Sequence, residues 1–169
     1  HETLQQVRTA IANNRSIVIV NASVTGSGKT LANFAATILD GVPTIGVYPT
    51  NELIRDQEAA LSKHLNADDA VRVDSAQLEI YKDWMQVRSN TEAMHSIMAD
   101  WEGTKAILTN PDILYLMAYD LYGFSSRTNM RERLFQALIN NYPIIAFDEF
   151  HLYDTKQVGN VAFIVGTMA

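Results

Sequence analysis

The chain contains no cysteine. That excludes a disulfide framework and any thiolate metal site, and it is compatible with a reducing cytoplasm without establishing one. Long apolar runs are missing too: none approaches the roughly 20 residues needed to cross a bilayer as a helix. No signal-peptide pattern, internal repeat or low-complexity linker is visible. Basic residues are few, with 13 Lys and Arg against 19 Asp and Glu and a formal net charge of −6. A basic coat for nucleic acid is therefore excluded, although local placement of Lys and Arg can still form a groove. What remains is 169 residues, 47% hydrophobic and 19% charged, enough for one globular α/β unit with its own core.

The most informative stretch is Ile17 to Thr30, IVIVNASVTGSGKT, an apolar run that breaks into a loop ending Gly-Ser-Gly-Lys-Thr. Small residues allow backbone N–H groups to approach phosphates, Lys29 can reach the β and γ oxygens, and Thr30 can ligate Mg²⁺. The loop starts a helix, where phosphate binding is favoured. Ser23 stands where the usual G-x-x-x-x-G-K-[ST] pattern has its first glycine, so the match is incomplete. A second motif supports it: the apolar strand Ile144 to Phe147 delivers Asp148 and Glu149 at its carboxyl end. One carboxylate can hold Mg²⁺ while its neighbour orients or deprotonates an attacking water.

Elements alternate along the chain. Thr3 to Asn13 reads as a helix, with Thr3 and Gln6 as a capping box. Ser16 to Asn21 reads as a buried parallel strand, and Thr30 to Asp40 as one helix with Leu31, Phe34, Ala35 and Ile38 on its core face, stopped by Gly41 and Pro43. Thr44 to Tyr48, Ala70 to Val73 and Lys105 to Thr109 read as further strands. Helices are expected over Glu52 to Leu65 (Leu53, Ile54, Ala60 and Leu61 inward), Ser75 to Trp101 with a break near Ser89 and Asn90, Pro111 to Tyr119 behind the cap Asn110, and Met130 to Asn141. Gly123 to Asn129 reads as a polar loop. Strands joined by helices predict right-handed crossovers and a mainly parallel sheet with helices on both faces, its ligands lying at the carboxyl ends of the strands.

With those residues in place the sequence resembles superfamily 2 helicases and translocases of the DExH type. VTGSGKT looks like their motif I, and Asp148-Glu149-Phe150-His151 like motif II. Tyr48-Pro49-Thr50-Asn51-Glu52-Leu53 with Gln57 resembles motif Ia, and Leu108-Thr109-Asn110-Pro111-Asp112 resembles motif Ib. ILTNPDIL and DEFHLYD are similar more narrowly to the helicase of type I CRISPR interference systems, and point to the subtype in which helicase and nuclease are separate chains. None of His1, His64, His95 or His151 is followed by Asp, so the His-Asp pair of that family's nuclease is not seen.

The resemblance implies that residues 1–169 are the first RecA-like lobe of an ATP-dependent helicase on single-stranded DNA. It implies a prokaryotic cytoplasmic protein, with a CRISPR effector complex and a separate nuclease subunit as partners and no membrane. ATP and Mg²⁺ are the implied cofactors. Thr25, Gly26, Ser27, Gly28, Lys29 and Thr30 are expected to bind the nucleotide, and Thr30 and Asp148 the Mg²⁺. Lys29, Asp148, Glu149 and His151 are the expected catalytic set, with His151 coupling the nucleotide site to the DNA path. Thr50, Asn51, Thr109 and Asn110 are expected to touch the tracked strand.

The resemblance also implies a Ser-Ala-Thr motif and a second lobe carrying an arginine finger. Neither occurs before Ala169, where the chain stops while still apolar, and it begins at His1. The protein is therefore expected to continue, this lobe alone to be a poor motor, and its sheet to lack the strand between the phosphate-loop strand and the motif II strand.

Several residues carry two readings. Gln6 reads adenine in such helicases, or closes the capping box. His151 could instead satisfy a buried backbone group. Tyr115, Tyr119 and Tyr122 form a helical stripe that more often packs a core than stacks bases. Arg127, Arg131 and Arg133 are secondary phosphate candidates, interrupted by Glu132. The alternative functions are another superfamily 2 DNA motor, such as that of a restriction system or a remodeller, and a nucleotide-binding switch without turnover.

Overall fold

The computed structural model describes residues 2–15, 17–19, 29–86, 103–119 and 140–168, apart from the side chains of residues 29, 30, 117–119 and 168. Among these residues, β1 (Thr44–Val47), β2 (Ala70–Val73), β3 (Ala106–Thr109) and β4 (Ile144–Phe147) form one sheet in the order β2-β3-β1-β4. Every pairing is parallel, with Thr44 aligned to both Ala106 and Ile144, and Ala70 to Ala106. The sequences explain the order. TIGV and AILT are buried at all four positions and sit in the middle, whereas AVRV and IIAF keep partial exposure and sit at the edges.

Alternation along the strands sorts side chains into two cores. On one face Ile45, Val47, Val73 and Ile107 meet Leu78 of α5 (Ser75–Met85), Ile113 and Leu114 of α6 (Pro111–Tyr119), and Ile164 of α7 (Thr155–Met168). On the other, Ala106, Leu108 and Tyr48 pack with Phe34 and with Ile54 and Leu61 of α4 (Asn51–Leu61), beside Ile38 of α3 (Ala35–Asp40). Gly46 sits beneath this second core. A Cβ there would lie 2.7 Å from Phe34 Cζ and 2.9 Å from Tyr48 Cε2, so only glycine lets the two rings close over β1. The remaining helices are α1 (Glu2–Ala12), whose Arg8 makes a bidentate pair with Asp40 at 2.7 Å to each oxygen, and the short α2 (Lys29–Asn33).

The helices-on-both-faces parallel architecture expected from sequence is thus observed. The strands over 70–73 and 144–147 match residue for residue, and the caps Asn110 and Gly41 act as expected. Asn110 Oδ1 accepts from Ile113 N at 2.9 Å, and Gly41, at φ 68°, closes α3 in the left-handed conformation.

Other expectations are corrected. The run Ile17–Ile19 is in no strand, and Val18 is 85% exposed. An apolar stretch becomes a strand only where a ladder accepts it, and no described strand pairs with the free side of β4. The capping box at Thr3 fails because α1 is already helical at Glu2. The helix expected over 30–40 breaks at Phe34, whose buried ring is committed to Gly46 and Tyr48, and Leu31 is half exposed rather than in the core. Helix α4 ends at Leu61 instead of Leu65, and α5 ends at a left-handed Gln86, before Ser89. Helix α7 was not expected, although Asp154-x-x-Gln157 is a capping signal. Of the helix expected over 130–141, only Asn140 and Asn141 are described, and both are helical; the 123–129 loop lies outside the described residues.

Candidate functional site

The acidic pair forms where β4 runs out. The Asp148 backbone N–H donates to Val47 O at 3.0 Å, continuing the β1 register by one residue before the chain turns away. Asp148 is only 8% exposed, and its carboxylate is held from two sides: Oδ1 accepts from Glu149 N at 2.9 Å and Oδ2 from Asn33 Nδ2 at 3.2 Å. Asn33 closes α2, the helix that begins at Lys29, so this bond ties the helix behind the phosphate loop to the acidic strand across 115 positions. Asn33 was not singled out in the sequence. Its only local signal is its place one helical turn after Lys29.

Glu149 adopts φ 48°, ψ 39°, a left-handed conformation that costs a non-glycine residue on the order of 1 kcal/mol. The turn points Glu149 toward His151, with Oε2 3.3 Å from Nδ1. His151 is exposed and beside a carboxylate, so it is not satisfying a buried backbone group. Two phenols lie beneath. Tyr153 Oη donates to Val47 O at 2.8 Å, and burial followed by the charge of Asp148 pushes its pKa well above the usual phenol range. Tyr48 is pushed up by burial first, then by Asp148 and Tyr153, and its hydroxyl has no hydrogen-bond partner among the described residues. Both rings are neutral at physiological pH and add no negative charge beside Asp148.

A second cluster lies along the same edge of the sheet. Thr50 caps α4, accepting from Leu53 N at 3.3 Å, Asp74 caps α5, accepting from Gln77 N at 2.8 Å, and Asn110 caps α6. Side chains link the three: Asn110 Nδ2 donates to Asn51 Oδ1, and Asn51 Nδ2 donates to Ser75 Oγ, each at 3.4 Å. Three helix N-termini therefore open together beyond β1, β2 and β3, with their positive dipole ends outward. Asp74 itself is fully buried and sits 3.3 Å from Arg72 Nε, while Arg72 Nη1 also reaches Glu58 at 3.0 Å, so its charge is matched internally.

The structure brings Thr50, Asn51 and Asn110 together and removes Thr109 from the set. Thr109 is completely buried and its hydroxyl donates to Val73 O at 2.8 Å, so it joins β3 to β2 instead of facing a ligand. Tyr115 packs edge-on against Phe163, with centroids 5.2 Å apart, as a core residue does. Gln6 is exposed on α1 and lines an open groove of about 460 Å³ with Thr9, Asn13, Arg15 and Ile17–Ile19. Ser23, Thr25 to Gly28, Tyr122, Arg127, Arg131 and Arg133, and the side chains of Lys29, Thr30 and Tyr119, lie outside the described residues.

The donors fit Mg²⁺. Asp148 offers hard carboxylate oxygen with lone pairs beyond its two hydrogen bonds. Magnesium in nucleotide sites is held in that way, by one or two carboxylates plus phosphates and waters.

A parallel sheet covered on both faces, with an acidic pair at the end of one strand bonded to the helix behind a Gly-Ser-Gly-Lys-Thr loop, defines a RecA-like nucleotide-binding lobe. The sequence model of the DEAD/DEAH box helicase family matches residues 3–169, and the chain belongs to that family. No curated protein and no solved structure gives a significant match. Family membership carries ATP binding and hydrolysis and, in general terms, an ATP-dependent helicase or nucleic-acid translocase activity. Among the described residues no helix is long and apolar enough to cross a membrane.

Proposed function

We propose that residues 1–169 are the first RecA-like lobe of a helicase that moves along single-stranded DNA in CRISPR interference, in the prokaryotic cytoplasm. An effector complex recruits it and a separate nuclease chain completes the reaction. The observation that carries the motor reading is the shared carboxyl end of the sheet: Asp148 and Glu149 follow β4, while Thr50 and Asn51 follow β1 and Asn110, bonded to Asn51, follows β3. The CRISPR assignment is supported by the wording ILTNPDIL and DEFHLYD.

Amides of Gly26, Ser27 and Gly28 cradle the phosphates, Thr25 contributes to the nucleotide site, Lys29 neutralises the phosphate charge, and Gln6 approaches the base. Thr30 and Asp148 would hold Mg²⁺, which would supply charge neutralisation to the phosphates. Asn33 keeps the Asp148 carboxylate in place from the phosphate-loop side. Glu149 orients and deprotonates the attacking water, and His151, 3.3 Å away, relays the state of that carboxylate toward the DNA path. Thr50, Asn51 and Asn110 meet the DNA backbone at helix N-termini, while Thr109 contributes only to the sheet.

The test is ATPase activity of the full-length protein with and without single-stranded DNA, with single-stranded RNA as comparator, followed by capture of effector subunits. DNA is expected to stimulate turnover. Glu149→Gln should retain nucleotide binding and lose about 10²- to 10⁴-fold in turnover, the range for a general base; turnover at the normal rate would reject that assignment.

A further inference from the structure

The segment after Glu149 turns back across the carboxyl end of β1 and grips its main chain at two points. Tyr153 Oη donates to Val47 O at 2.8 Å, the same carbonyl that receives the Asp148 N–H. Gln157 Nε2 donates to Pro49 O at 3.0 Å, across 108 positions, and both side chains are buried. Pro49 precedes Thr50, the cap of α4, so this carbonyl belongs to the peptide leading into the polar edge.

The Gln157 amide is oriented from its other end. Its Oε1 accepts from Asp154 N at 3.2 Å while Asp154 Oδ1 accepts from Gln157 N at 2.7 Å. Turning the amide over would set oxygen against Pro49 O and N–H₂ against Asp154 N–H, losing both bonds. One turn further along α7, Asn160 Nδ2 lies 2.9 Å from Asp112 Oδ1, and Lys156 Nζ lies 2.7 Å from the same oxygen. Asp112 is in the first turn of α6, two residues past Asn110. Helix α7, launched soon after the acidic pair, thus holds the loop before α4 and the first turn of α6.

We infer that Gln157 is a positioning residue that couples occupancy of the Thr50 and Asn51 loop by nucleic acid to hydrolysis at Asp148 and Glu149. This rests on the nucleic-acid motor reading above. A shift of Pro49 when the loop takes a phosphate pulls on Gln157, and through the bond from the Asp154 backbone N–H to Gln157 Oε1 it reaches the segment carrying Tyr153, His151 and Glu149.

The experiment uses the full-length protein. Wild type is first assayed for ATPase stimulation by single-stranded DNA; lack of stimulation overturns the motor reading and the coupling with it, before any variant is made. Gln157→Glu keeps the acceptor for Asp154 N and removes the donor to Pro49 O. Gln157→Met removes that donor together with the Oε1 acceptor, without adding charge. Both are expected to keep the DNA-free kcat and the KM for ATP while the stimulated increment falls about fivefold or more, the lower end of measured site-to-site coupling. Asp154→Ala removes the helix cap and leaves the bond to Pro49. It should lower the melting temperature and keep the wild-type stimulation ratio. Full stimulation in either Gln157 variant overturns the inference, as does an equal loss in Asp154→Ala, which would mark Gln157 as a helix cap only.

Discussion

Ile17–Ile19 and Ile144–Phe147 are nearly the same kind of sequence, IVI and IIAF, yet they behave differently. The second is β4, hydrogen-bonded along its length to β1 and capped by Asp148, Tyr153 and Gln157 bonding back to the β1 end. The first is in no strand, with Val18 85% exposed and Ile17 46% exposed. Intrinsic preference for extended backbone is common to both. What differs is a neighbour that offers a ladder and a covered face, which is where a β-branched residue gains most of its stability.

The largest effect should separate a side chain inside the paired sheet from one in the unpaired run. Leu108→Ala, at a fully buried position of β3, is expected to cost about 2–5 kcal/mol in urea unfolding. Val18→Ser should stay within about 0.5 kcal/mol; a comparable loss at Val18 would show that the run is packed. Next is Gly46→Ala, where the new methyl meets Phe34 Cζ at 2.7 Å, and a cost of about 1–3 kcal/mol is expected by the same measurement.

A smaller effect belongs to Tyr142, just before β4, whose hydroxyl donates to Thr104 O at 3.0 Å. Burial pushes its phenol up to about 12, so the fold favours the neutral form. Its stabilisation is complete below the unfolded phenol value near about 10 and is lost as pH rises from there through about 12. Unfolding free energy should decline over that window in wild type and decline less in Tyr142→Phe, which loses about 0.5–1.5 kcal/mol at neutral pH with the hydrogen bond.

The least effect is expected at the exposed Arg8 and Asp40 pair, which fastens α1 to α3. Its hydrogen bonds to Arg8 hold the Asp40 carboxyl below the usual range, so any contribution is present above the unfolded carboxylate value and is lost as pH falls through the lower folded one. Arg8→Ala should shift the melting temperature little at low salt and not at all at high salt, checked by paired melts.

Much of the fold was legible because its signals are local. Asn110 before Pro111, Gly41 ahead of Pro43 and the apolar fours at 70–73 and 144–147 each act within a turn or one strand width. The acidic pair was legible for the same reason, as a strand followed at once by carboxylates. Thr109 was misread because a threonine at a strand end looks alike in sequence whether it faces solvent or, as here, donates to Val73 O on the adjacent strand. Phe34 was read as one face of a continuous helix because its ring's place beside Gly46 depends on a strand ten residues later.

By itself the sequence determined where the four paired strands lie, the caps Asn110 and Gly41, and the phosphate-loop and acidic motifs that state the chemistry. Tertiary structure alone decided that Asn33 holds Asp148, that Thr109 is internal, that Asn110 meets Asn51, and that Gln157 reaches Pro49. The physical reason is range. Capping and periodicity act over about four residues, whereas the bonds from Asn33 and Gln157 span 115 and 108 positions and exist only once the parallel crossovers have stacked the strand ends side by side.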